Sequence, residues 1–352
     1  MKYFSTFYVA YPYYFPHFLP IHQELTRRGY ATRFILNDTE NPSLMKEIAQ
    51  KHDLYYLFGE KHLFDGKSNY IFFANPYEKA KEIQSKTIFL EHGIGTKSVG
   101  FYPVIEYMDI YLVEGAYKFQ RLKSLYPHHT HKLHQVGFSK FDAIANMHED
   151  EKMLLYKKYR LDPSKRTILY APTFFPSSIE KMHRDFPVHF NDCNILIKAH
   201  YLTYERKQYK NQRKRLAHWN SFENCTVVDV AEYDLVPLFA VSDVMISDES
   251  SAMFEFAALN KPVVSNRYFK LRLSYYLRPS RLKKRIDEGK EKYREILDNA
   301  ESYEQTVRLT REALETPGKL APLRNKFSKE ICGTIDGRVS ARIADLLEEK
   351  NG

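Results

Sequence analysis

Val244-Met-Ile-Ser-Asp248-Glu-Ser250-Ser251-Ala-Met-Phe-Glu255-Phe-Ala-Ala-Leu-Asn-Lys261-Pro262-Val-Val is the stretch whose reading decides the fold. An apolar run of strand length ends in a polar turn. Two serines then open an Ala-rich helix, which stops before Pro262, and a second β-branched run follows. Strand, turn, helix and strand in about twenty residues are the repeating unit of a parallel sheet with crossover helices.

The same alternation runs outward in both directions. Upstream it predicts strands near Tyr3–Val9, Thr32–Leu36, Thr87–Leu90, Ile110–Val113 and Leu133–Val136, and helices over Pro16–Arg28, Pro42–Gln50, Pro76–Ser85 and Ala116–Leu125. A second series of strands is expected at Ile168–Tyr170, Ile195–Lys198, Val227–Val228, Val244–Ile246 and Val263–Val264. The charged helix Glu149–Tyr159, followed by Asp162-Pro163, reads as a seam. The organisation expected is an α/β chain of two doubly wound, Rossmann-like domains facing a cleft, over 1–150 and 151–335. A C-terminal helix is expected over 336–352. Ligands of such sheets bind at the carboxyl ends of the strands.

Composition narrows the function classes. The chain has 352 residues, 43% hydrophobic and 28% charged, as in an ordinary globular protein. No apolar run reaches the ~18 residues of a spanning helix, and the N-terminus lacks a secretory leader. Three cysteines without CxxC spacing fit neither a disulfide framework nor a zinc site and suit a reducing cytoplasm. The formal charge of +9 favours an anionic partner. No nucleic-acid-binding pattern is present. The basic runs Arg206–Arg215 and Arg278–Arg285, with Trp219, Leu271 and Tyr275 to Leu277 nearby, suggest contact with an anionic membrane surface.

Four segments carry candidate chemistry. In the first, Ser250 and Ser251 open a helix whose unpaired N–H groups suit a diphosphate, and Glu255, one turn on, suits ribose hydroxyls. In Thr87-Ile-Phe-Leu-Glu91-His92-Gly93-Ile-Gly95-Thr-Lys97, a strand delivers a candidate base, His92, to its end. Gly93 permits close approach there, and Lys97 can meet a phosphate. In Asn194-Ile-Leu-Ile-Lys198-Ala-His200, a cationic pair at a strand end suits a transferring or leaving phosphate. Ile168-Leu-Tyr170-Ala-Pro172-Thr173-Phe174 brings Thr173 and nearby amides to the same edge. Each has a plainer reading as an N-cap, a turn or a buried core histidine. His128, His129, His131 and His134 lie in one polar loop without partner carboxylates, and no metal is expected.

Taken in order, HGxxxK, YAPTF, K-x-H, SDxSSxxFEFAxLxKPVV and the late Asp336-Gly337-Arg338 resemble the CDP-glycerol glycerophosphotransferase family over roughly residues 85–349. The resemblance implies a GT-B fold and transfer of an alditol phosphate from CDP-glycerol or CDP-ribitol to a polymer or lipid-linked acceptor, on the inner face of a cell membrane. It implies a catalytic pair, His92 and His200, a donor site of Lys198, Ser250, Ser251, Glu255 and Thr173, and acceptor or phosphate contacts at Gly93 and Lys97. No cofactor or metal is implied. Departures from the family's usual pattern include Glu91 for Trp, Tyr201 for Pro and Glu255 for Asp. The competing readings are a glycosyltransferase or non-hydrolysing epimerase acting on a nucleotide sugar, and a non-catalytic envelope-assembly scaffold.

Overall fold

The computed structural model describes residues 2–94, 102–248, 250–270 and 291–351. These divide into two compact units. One combines the chain up to Asn146 with the segment from Lys329 onward, and the other runs from Met147 to Ser328.

The first unit holds a seven-stranded sheet: β1 (Tyr3–Val9), β2 (Thr32–Leu36), β3 (Tyr56–Phe58), β4 (Ser68–Phe73), β5 (Lys86–Leu90), β6 (Ile110–Val113) and β7 (Leu133–Gln135), in the order β3-β2-β1-β4-β5-β6-β7. All pairings are parallel. Every strand therefore ends at one edge, and the order reverses between β1 and β4, the place where ligands of such sheets generally bind.

The core of this unit explains the chain's aromatic content of 15%. Phe7 on β1 stacks between Phe34 on β2 at 5.0 Å and Phe72 on β4 at 4.9 Å, and the helix Phe15–Arg27 adds Phe15 and Phe18 above them. All five rings are fully buried. Each is worth about 1.5–3 kcal/mol of transfer free energy.

The second unit repeats the plan with β8 (Thr167–Ala171), β9 (Asn194–Ile197), β10 (Cys225–Val227), β11 (Val244–Ser247), β12 (Val263–Asn266) and β13 (Asp298–Ala300). The order β10-β9-β8-β11-β12-β13, again all parallel, is the dinucleotide-fold order 3-2-1-4-5-6. Its reversal falls between β8 and β11.

Several expectations need correction. Strands β3, β4 and β13 were not anticipated, and the helix expected over Pro76–Ser85 is only a 3-10 turn, Glu78–Glu82. The C-terminal segment is not a separate body: the first unit reclaims the chain at Lys329, so the second unit ends before residue 335.

The reason lies in Asp142. Its two carboxylate oxygens accept from Val339 N at 3.1 Å and Ser340 N at 2.7 Å, capping the helix Val339–Asn351 at its positive end. Arg28 ties the other end through Glu348 at 2.9 Å and Asp345 at 2.7 Å. Gly337 makes the turn into this helix at φ +71°, and a Cβ there would sit 2.3 Å from Asn146 Oδ1. Asn146 Nδ2 in turn donates to Gly337 O at 2.9 Å. The Asp336-Gly337-Arg338 motif is thus a docking joint, not a source of chemistry.

Candidate active site

Each unit presents its candidate groups at the carboxyl edge of its sheet, on the strands that flank the order reversal and on their neighbours β5 and β9. In the first, β5 ends at Leu90 and Glu91 leads into His92. His92 Nδ1 lies 2.5 Å from Ala74 O, the carbonyl just past β4. A carbonyl only accepts, so Nδ1 carries the proton, and the neutral ring holds its lone pair on Nε2. Tyr14 and Tyr13, from the turn after β1, flank the ring at centroid distances of 5.0 and 5.7 Å.

Behind them His17 is wholly buried. Desolvation holds it well below the usual imidazole range, against a hydrogen bond with the His92 backbone. Gly93 has an ordinary φ, and a Cβ added to it meets nothing within 4 Å among the described residues. Among the described residues, neither backbone nor packing requires a glycine there. Gly95 and Lys97 lie outside the described residues.

In the second unit β9 delivers Lys198 and His200. Lys198 Nζ donates to Asp229 O at 3.0 Å, and burial lowers its pKa to about 8. His200 differs from the expectation of a cationic pair. Desolvation first, then the charges of Lys198 and Arg206, lower its pKa to about 4, so it is neutral near pH 7. Its Nδ1 accepts from Leu202 N at 3.2 Å. The proton of the neutral ring therefore sits on Nε2, opposite to His92. Phe174, from the turn after β8, packs on His200 at 4.8 Å, and Tyr201 stacks on it at 4.9 Å.

The turn after β11 is organised by Asp248, which sequence reasoning passed over. This fully buried carboxylate accepts from Thr173 N at 2.5 Å, Ser178 N at 3.0 Å, Ser177 Oγ at 3.1 Å and Ser178 Oγ at 3.2 Å. It clamps the β8 turn to the β11 turn across the order reversal. Burial pushes its pKa up to about 7 against the pull of these donors. The Thr173 amide, expected as a ligand donor, is committed to Asp248. Only the half-exposed remainder of Thr173 faces outward.

Ser250 Oγ accepts from Ala252 N at 3.2 Å, while Ser251 makes no side-chain cap on the seven-residue helix Ala252–Ala258. Both serines are half-buried. Glu255 is 4% exposed and so is not a solvated helix residue. Lys261 is also structural: its ammonium donates to Phe239 O at 2.6 Å and Ser242 O at 2.8 Å at the end of the helix Val236–Val241.

Trp219 is fully buried and donates to Arg184 O at 2.8 Å, so it is no surface anchor. Arg213 is spent on the carbonyls of Thr203 and Arg206. The stretch Arg278–Arg285 with Leu271 and Tyr275 to Leu277 lies outside the described residues. Among the described residues no group of three or more His, Cys, Asp or Glu can hold a metal ion, and no helix is long and apolar enough to cross a membrane.

A family model described as CDP-Glycerol:Poly(glycerophosphate) glycerophosphotransferase matches residues 61–349. A teichoic acid glycerol-phosphate transferase of Staphylococcus aureus (strain NCTC 8325 / PS 47) is 26% identical over 230 residues, covering 61% of this chain and 54% of that relative. The chain thus spans about half the relative's length. Among solved structures, the wall teichoic acid polymerase TagF is similar with a TM-score of 0.69 at 18% identity, over 99% of this chain and 88% of that one. The UDP-GlcNAc 2-epimerase of Neisseria meningitidis bound to UDP-GlcNAc follows with a TM-score of 0.62 at 12% identity, over 99% and 100%. At these identities the likeness shows the fold, which is GT-B.

Asp248→Ala leaves the Thr173 and Ser178 amides and the Ser177 and Ser178 hydroxyls without this acceptor. At about 1–3 kcal/mol for an unpaired buried group, it should cost roughly 2–5 kcal/mol in urea unfolding, with Asp248→Asn costing less. A loss under about 1 kcal/mol would show that the two turns hold together without this clamp.

Proposed function

Because the chain belongs to the CDP-glycerol:poly(glycerophosphate) glycerophosphotransferase family, we propose that it moves glycerol phosphate, or another alditol phosphate, from a CDP-activated donor to a hydroxyl of a cell-envelope polymer or lipid-linked acceptor. The observation that carries this reading is the opposite proton placement on the two histidines. Transfer needs one group that takes a proton and one that offers a hydrogen bond to phosphate. His92, with its lone pair on Nε2, suits the first role, and His200, with its proton on Nε2, suits the second.

In this reading His92 Nε2 accepts the acceptor hydroxyl's proton as its oxygen attacks the phosphorus bearing the alditol. The bond from that phosphorus to the CMP oxygen breaks, and CMP leaves with the electron pair. His200 Nε2–H and the Lys198 ammonium stabilise charge on the transferring and leaving phosphates. Ser250 and Ser251 hold the diphosphate, Thr173 lies beside it, and Glu255 receives the ribose. Gly93 leaves room for the acceptor, and Lys97 meets its phosphate. The first unit then serves the acceptor and the second the nucleotide donor.

A general base contributes ~10²–10⁴-fold. His92→Ala should lose roughly that much kcat with CDP-glycerol while KM changes little, whereas His200→Ala should affect both. Lys198 is charged below about pH 8 and neutral above it, so KM for CDP-glycerol should climb above that pH. Near-normal turnover by His92→Ala would remove it as the base.

The lipid-linked acceptor calls for a perch on the membrane. Exposed Arg206, Lys207, Lys210 and Lys214 offer one on the second unit. Each cation near an anionic bilayer contributes on the order of 1 kcal/mol and is screened by salt. Sedimentation with anionic vesicles should pellet the protein at low salt and release it at high salt. Absence of binding at low salt would direct the search to soluble acceptors.

A further inference from the structure

Beneath the candidate base lies a cluster of charges that the proposed reaction does not use. Glu91, the residue before His92, is 6% exposed. Its carboxylate takes an ion pair from Lys118 Nζ and a hydrogen bond from Tyr111 OH at 3.2 Å. The same ammonium lies 3.7 Å from Glu114, which is also fully buried. Lys118 is itself 3% exposed. Three ionisable groups thus share one buried pocket, where among the described residues Lys118 is the cation between two carboxyls.

Charge balance dictates the resting state. A buried carboxylate without a partner is costly, so the favoured arrangement has Glu91 ionised against Lys118 and Glu114 holding a proton. Burial, with the Glu91 charge adding to it and Lys118 opposing, raises the Glu114 pKa to about 7. Glu114 lies in the turn between β6 and the helix Ala116–Leu125; among the described residues the charged and titratable groups facing it are Lys118 on that helix and Glu91 just after β5, with Tyr111 of β6 behind Glu91. When Glu114 loses its proton, Lys118 is shared between two carboxylates and its hold on Glu91 weakens.

We propose that Glu91, Lys118 and Glu114 form a one-proton latch of positioning residues: with Glu114 protonated, Lys118 fixes Glu91 and so holds His92 in its hydrogen bond to Ala74 O. Ionisation of Glu114 loosens the latch and turnover falls. The latch rests on the reading of His92 as base, but its geometry can be tested without catalysis.

The experiment has two readouts. In CMP release from CDP-glycerol, the wild type should show kcat falling several-fold as pH rises through about 7 and toward 8.5, with KM steady until Lys198 titrates. Glu114→Gln, which mimics the protonated acid, should remove that fall and leave kcat flat over the same range. Glu91→Gln should lower kcat at every pH without raising KM.

The second readout is histidine ring NMR with the protein alone. The His92 signals should follow different pH courses in the wild type and in Glu114→Gln, with the step near pH 7 that reports Glu114 missing from the variant. Identical pH profiles and identical His92 titrations in wild type and Glu114→Gln would overturn the latch. Moving NMR signals in a protein that never releases CMP would keep the latch and defeat the proposed reaction instead. If Glu114→Gln fails to fold, Glu91→Gln alone decides: unchanged kcat would overturn the proposal.

Discussion

In a parallel sheet every strand leaves its last carbonyl and its next turn at the same edge, and where strand order reverses two turns diverge. This constraint governs both halves of the molecule. The β1, β4 and β5 ends bring Tyr13, Tyr14, Ala74 and His92 together in one unit. The β8, β9 and β11 ends bring Thr173, Phe174, Lys198, His200 and the two serines to one edge in the other. The chemistry of each histidine then follows from the one backbone group it meets. A carbonyl beneath His92 fixes a proton on Nδ1, and an amide beside His200 removes it from Nδ1. Two residues of the same type are given opposite tautomers by main-chain neighbours.

Much of this was legible beforehand. Each candidate group follows an apolar run within one or two residues, and that local signal locates it at a strand end. The pairings that give the groups their properties were not legible, because they are long-range. Asp248 meets Thr173 across 75 positions, and Asp142 meets Val339 across 197. The protonation of His200 depends on how deeply it sinks, which spacing cannot report. Trp219 was misread although its signal existed: Gln212, Leu216 and Trp219 recur at i, i+4 and i+7 and are the buried face of the helix Lys210–Trp219. Strand β4 was missed although Tyr70 to Phe73 is an apolar run, because the charged loop before it masked the period.

Residues shared with the family pattern divide into two kinds. Lys261, Gly337 and Asp248 hold turns and helices together through bonds to the main chain or side chains of this chain. Their place in the motif reflects architecture. His92, Lys198 and His200 are also oriented by main-chain groups, and the proposed reaction asks more of them. Glu91 shows how a buried acid is tolerated: Lys118 enters the pocket with it.

The central claim is that this chain cleaves a CDP-alditol at the phosphate bearing the alditol. Incubation with CDP-glycerol, CDP-ribitol and a panel of UDP-sugars, each with a hydroxyl-bearing polymer acceptor, followed by identification of the nucleotide released, tests it directly. The account predicts CMP from a CDP-alditol and no UDP from any sugar donor. Release of UDP, with the CDP-alditols left intact, would contradict it.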